Sequence, residues 1–168
     1  MFDSLIRRPR TLATIGLIAV AAPLALSGCA GPAPMHAADD ANNPACAEVI
    51  VRLPDTVADL QKRATNAQST GAWGNPADVE LRCGVETSGP TTDMCVNVND
   101  VDWIIDESQA PLYRFEAYGR EPGLEVYVNG DKVSGTSVVT DLAAVAKQLP
   151  QVRECTGYAD SMAIANDK

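Results

Sequence analysis

The chain of 168 residues contains one histidine, His36, and two phenylalanines. A Ser-His-Asp or Cys-His mechanism needs an imidazole locked beside its nucleophile. His36 instead lies in AGPAPMHAADDANN (30–43), which has no aromatic or β-branched side chain. There is no Gly-x-Ser-x-Gly element and no Cys-x-x-Cys pair. The spacing of the later cysteines and the lack of a second histidine argue against zinc, so no metal and no cofactor is expected. The apolar run Thr11 to Leu26 is shorter than the roughly 20 residues of a spanning helix, and Pro23 interrupts it. Positive charge is scarce, with 13 Lys+Arg against 22 Asp+Glu. Such a balance repels phosphates and disfavours nucleic acid as a partner.

The start, MFDSLIRRPRTLATIGLIAVAAPLALSGCA, is better marked. A basic stretch ends at Arg10, the uncharged run follows, and the small residues Ser27 and Gly28 precede Cys29. This order reads as an export signal over residues 1–28. Leu26-Ser27-Gly28-Cys29 resembles the bacterial lipobox, which implies a diacylglyceryl group on the Cys29 sulfur and cleavage just before it. One acyl chain gives only reversible membrane binding, whereas two hold a protein stably. Removal of residues 1–28 leaves 10 basic and 21 acidic residues, a net charge of −11. Residues 29–43 are expected to be a lipidated cysteine and a disordered tether, because their composition offers too little apolar surface to offset ordering.

With Cys29 assigned to lipid, Cys46, Cys83, Cys95 and Cys155 remain. In an oxidising compartment they suggest two disulfides, with three possible pairings. The preferred pairing is Cys83–Cys95, closing a local loop between neighbouring strands, and Cys46–Cys155, tying the first helix to the C-terminal segment.

Asn43 can cap and Pro44 can open a short helix over Ala45–Leu53, which Pro54 ends. TVADLQKRAT is ambiguous between helix and extended chain, and 66–78 reads as a loop. Period-two alternation then marks Val79–Val85, CVNV, VDWII, Leu112–Gly119 and Gly123–Gly130. Asn99-Asp100 suits a tight hairpin and Pro122-Gly123 another turn. An amphipathic helix is expected over Ser137–Leu149, before Pro150. The expected fold class is α+β: one domain over 44–160, with about five mainly antiparallel strands covered by an N-terminal and a C-terminal helix. Residues 161–168 are expected to be a flexible tail.

The blocks PACAEVIVRLPDTVADL, AWGNPADVELRCGV, VNDVDWIID, YGREPGLEVYV and LPQVREC resemble, in this order, the exported actinobacterial family known as domain of unknown function 3515. The resemblance implies an envelope protein of a high-GC Gram-positive bacterium, often a lipoprotein. It implies no catalytic residue.

Candidate chemistry is sparse. The acidic stretch Asp100, Asp102, Asp106 and Glu107 fails the EF-hand pattern, since the sixth residue from Asp100 is Ile105 and the twelfth is Leu112. Asp100 and Asp102 share one strand face and read as a solvated surface, with a weak calcium site as the rival. Lys132 and Ser134 are too exposed for a Ser-Lys pair. Trp103 is expected in the core beside Val101 and Ile105. Trp73, in the Gly-rich loop AWGNP, either plugs the core or offers a binding surface. Arg82, Arg114 and Arg120 could gather around an acidic ligand or pair with the many acids. The expected role is a lipid-anchored, non-enzymatic binding or accessory module at the outer face of the cytoplasmic membrane. Its partners would be the membrane and an unidentified envelope protein. The rivals are a small wall hydrolase using carboxylates and a ligand-capture lipoprotein for a transporter.

Overall fold

The structure is a computed structural model that describes residues 31–156. The export segment, Cys29 and the tail beyond residue 156 lie outside the described residues. Helix α1 spans Pro44–Ile50, with Asn43 accepting from the Ala45 N–H as its cap. Eight strands follow: β1 Thr56–Val57, β2 Leu60–Arg63, β3 Thr70–Trp73, β4 Val79–Val85, β5 Cys95–Val98, β6 Val101–Asp106, β7 Leu112–Ala117 and β8 Gly123–Asn129. Helix α2 spans Gly135–Ala146. The sheet order is β1-β2-β3-β4-β8-β7-β6-β5, antiparallel throughout. Two four-stranded meanders therefore lie side by side and join where β4 pairs with β8.

The five strands legible in the sequence are β4 to β8. The expectation of a five-stranded sheet fails because β1, β2 and β3 extend it to eight. These strands are short, with two to four residues each, so none carries a readable alternation. Ala58 and Asp59 form the β1–β2 turn with φ of 46° and 64°. Such angles suit Gly or Asn better than Ala. The turn is held from outside, because the Asp141 carboxylate on α2 accepts from the Ala58 N–H at 2.8 Å. Asn99 and Asp100 form the equivalent turn of β5–β6, at φ 50° and 59°.

One face of the sheet carries the core. Val79, Leu81 and Cys83 of β4, Leu124, Val126 and Val128 of β8, and Val101 and Trp103 of β6 meet Val138, Leu142 and Val145 of α2, with Val49 of α1 in the same cluster. Each fully buried aliphatic contributes about 1.5–3 kcal/mol. Helix α2 touches β1 and β5, the two edge strands, as well as β7 and β8. Eight flat strands would set their edges about 33 Å apart, against a helix width of about 10 Å. The sheet must therefore coil around α2. Lys147, just past α2, pairs with Asp100 in the β5–β6 turn at 2.9 Å, so contacts from the helix tie down both edge hairpins. Among the described residues no helix is long and apolar enough to cross a membrane.

The disulfides are Cys46–Cys83 and Cys95–Cys155. The preferred pairing is overturned because β4 and β5 are not neighbours: β8, β7 and β6 lie between them. Cys83 faces the core, where Cys46 on α1 meets it. Cys95 alternates with the core-facing Val96 and so points to the opposite face.

The described part of the 29–43 segment is not a free tether. Ala33 forms a parallel bridge to Thr65, Met35 N–H donates to the Asn66 side chain at 2.7 Å, and Asp40 N–H donates to Gly84 O at 3.1 Å. Ala33 and Met35 are buried with Ala72 on the outer face. Gly84 makes this possible. It has φ +93°, and a Cβ there would lie 2.4 Å from the Asp40 carbonyl. Gly119 does the same for the C-terminal segment, where a Cβ would lie 2.0 Å from Arg153 O. Small residues that bury little area themselves are ordered here by backbone hydrogen bonds to a preformed sheet.

Candidate functional site

The outer face of the central strands is polar where the inner face is apolar. Arg82 of β4 stands opposite Glu125 of β8, Glu125 opposite Glu116 of β7, and Arg114 of β7 opposite Asp106 of β6. This register places like charges, Glu116 and Glu125, directly across from each other, which is destabilising unless a cation intervenes. Arg114 intervenes: its Nη1 lies 3.3 Å from Glu116 Oε2 and 3.5 Å from Glu125 Oε2, and its Nε lies 3.7 Å from Asp106 Oδ2. Arg82 Nε donates to Glu125 Oε1 at 2.7 Å, and its guanidinium sits 5.5 Å over the Tyr127 ring. Glu116 is 1% exposed and Glu125 4%.

Both arginines are held above their ordinary pKa. Burial works against the charge, but Glu125 outweighs it at Arg82, and Glu116 with Glu125 outweighs it at Arg114. Asp106 is held below its usual value, chiefly by hydrogen bonding from Ser108 and then by Arg114.

Two segments close over this face. The β4–β5 loop lays Ser88 on Glu116, whose carboxylate accepts from the Ser88 N–H at 2.8 Å and its hydroxyl at 2.6 Å. The 31–43 segment crosses β3 and β4, placing Met35 and His36 beside Glu80, Arg82 and Tyr127. Between the two segments lies an open groove of about 490 Å³, with Arg82 and Gly84 in its lining and Asp39, Asp40, Glu86 and Glu121 among the groups around it. A second, more acidic groove of about 670 Å³ lies at the β5 edge, lined by Asp93, Asp100, Asp102 and Glu154 beside the Cys95–Cys155 disulfide.

The residues singled out from sequence are dispersed. Trp73 is fully buried, with its indole N–H donating to Pro54 O at 3.0 Å, so it plugs the core and offers no surface. Arg82 and Arg114 do meet, around Glu125. Arg120 does not join them. It is 6% exposed and donates to Leu149 O at 3.0 Å and Asp100 O at 3.3 Å, pinning the end of the α2 segment to the β5–β6 turn. Burial lowers its pKa, and Asp102 partly offsets this. The three arginines thus form no common anion site, and none lacks a protein partner.

The acids of 100–107 do not converge on one point. Asp100 pairs with Lys147, Asp102 accepts from Asn97 and from the Cys155 N–H, and Asp106 faces Arg114. Asp102 does approach the Cys95 and Cys155 sulfurs. Those sulfurs are bonded to each other, so no thiolate is available to a metal. Ser134 caps α2, its Oγ accepting from the Ser137 N–H. Glu116, Glu125 and Ser88 were not foreseen. The alternation in LYRFEAYG and GLEVYVNG does place Arg114, Glu116 and Glu125 away from the core, but nothing in it signals that a loop covers them.

Comparison with curated proteins and with solved structures gave no match. The family model described as "Protein of unknown function (DUF3515)" matches residues 10–154, which takes in nearly all of the fold just described. The chain belongs to the DUF3515 family.

Proposed function

We propose that the chain is exported, lipidated at Cys29 and held at the outer face of the cytoplasmic membrane, where it serves as a non-enzymatic binding or accessory module of the cell envelope. The observation that carries this reading is that Cys46, Cys83, Cys95 and Cys155 are all engaged in disulfides. Such bonds persist in oxidising compartments outside the cytosol. Leu26-Ser27-Gly28-Cys29 at the end of a basic and apolar leader supplies the anchoring chemistry.

A binding role is favoured over hydrolysis by the state of Glu116 and Glu125, which face each other across β7 and β8. A glycosidase needs one carboxyl protonated and both facing a cleft. Glu116 and Glu125 are buried against arginine instead, and Ser88 covers Glu116. The open groove beside Arg82 is one surface open to an envelope partner.

The test is metabolic labelling with palmitate in a bacterium that processes lipoproteins, using wild type and Cys29→Ala. The wild type incorporates label and fractionates with membranes, while the variant loses label and is released or remains unprocessed. A variant that still labels and fractionates normally refutes the anchor. Crosslinking in intact cells, with the partner identified from wild type, tests the binding role.

A further inference from the structure

We infer that the folded domain does not hang from the anchor but lies on the bilayer with the end of β2 and the β3–β4 turn against anionic lipid headgroups. This rests on the proposed lipidation of Cys29. The chain is fastened to the fold from its first described residue: Arg63 Nη2 donates to Gly31 O at 2.8 Å, Ala33 N–H to Ala64 O at 2.8 Å, and Asn66 N–H to Ala33 O at 3.2 Å. Two residues of chain reach at most about 7 Å. An acylated residue 29 therefore brings Gly31, and with it the end of β2, to the membrane surface.

The chemistry there fits the contact. A shallow groove of about 370 Å³ is lined by Gly31, Asp59, Leu60, Lys62, Arg63 and Asn75. Lys62 and Arg63 are adjacent cations, and among the described residues neither forms an ion pair. Arg63 uses its guanidinium on Gly74 O, the Asn75 side chain and Gly31 O, and Lys62 Nζ reaches Leu53 O at 3.4 Å. Asp59 is the one acid in the groove lining. A mature chain of net charge −11 is repelled by an anionic leaflet as a whole. Held within a Debye length of about 8 Å, it lowers that repulsion by presenting Lys62 and Arg63, each cation being worth about fivefold in partitioning.

The experiment uses the full lipidated chain, ¹⁵N-labelled, in nanodiscs of 3:1 phosphatidylcholine and phosphatidylglycerol carrying a trace of gadolinium-chelating lipid. The intact mass is measured first. We expect paramagnetic broadening at Gly31, Asp59–Arg63 and Gly74–Asn75 at least threefold stronger than at Asn97–Asp100. Lys62→Glu, an exposed change that leaves the Arg63 contacts in place, should reduce the broadening at Asp59–Arg63 at least twofold in these discs. It should have no effect in discs of phosphatidylcholine alone. If the mass shows the diacylglyceryl group but broadening is uniform or centred elsewhere, or Lys62→Glu changes nothing in anionic discs, the docking is wrong and the anchor stands. A mass without lipid removes both.

Discussion

Gly84→Ala tests whether the segment before α1 is an integral part of the fold. Gly84 has φ +93°, and the new methyl would sit 2.4 Å from the Asp40 carbon and oxygen. The left-handed conformation costs an L-residue about 1–2 kcal/mol. Relief of the clash moves residues 38–41 off the strand, losing the Asp40 N–H bond to Gly84 O, about 1 kcal/mol net. The Ser69 hydroxyl bond to Ala41 O is at risk as well. A loss of about 2–3 kcal/mol in a domain of this size corresponds to a fall in Tm of roughly 6–12 °C. Calorimetry measures that fall. Hydrogen exchange locates it, with the Asp40 amide losing protection while β6 and β7 keep theirs. Gly89→Ala is the control, since nothing lies within 4 Å of its added Cβ. Equal melting of the two variants, with the Asp40 amide unchanged, would refute the reasoning.

Three further outcomes follow from the same geometry. Replacing Cys46 and Cys83 together by Ala opens a 37-residue loop, and replacing Cys95 and Cys155 opens one of 60. Loop entropy assigns each about 4 kcal/mol, measured by urea unfolding, and a loss under 1 kcal/mol for both would contradict a stapled fold. Arg114→Met leaves Glu116 and Glu125 opposed and buried, and should cost about 3 kcal/mol at neutral pH, whereas Arg52→Met at an exposed i,i+4 pair should cost under about 0.5. The Asp106 carboxyl should titrate below its ordinary 3.8, so its contribution is present above that pH and lost as pH falls through the folded value. Carbon-13 NMR of Ser108→Ala should show it rising toward 3.8.

The legible parts of this fold were those in which one face of an element decides its pattern. Helix α2, strands β4 to β8 and the Asn99-Asp100 turn each repeat apolar positions or carry their own turn chemistry. What could not be read was held by partners distant in sequence. The Ala58-Asp59 turn has no local signature and depends on Asp141, 83 residues away. Strand β3 is buried at all four residues, so TGAW shows no alternation. The 31–43 segment has a disordered composition, yet Gly84 opens room for its backbone. The disulfide pairing failed for a topological reason: β4 turns to β8, and the following strand β5 begins at the far edge. The polar site was half legible. Sequence supplied Arg82 and Arg114, while the carboxylates between them and the covering Ser88 come from register and loop path.

The most direct test of the central claim is the intact mass of the native protein extracted from membranes, taken after alkylation without reduction. A polypeptide beginning at Cys29, carrying a diacylglyceryl group and taking up no alkylating reagent at Cys46, Cys83, Cys95 or Cys155, is the result predicted. A chain that still carries residues 1–28 and alkylates at all four of those positions would contradict the account.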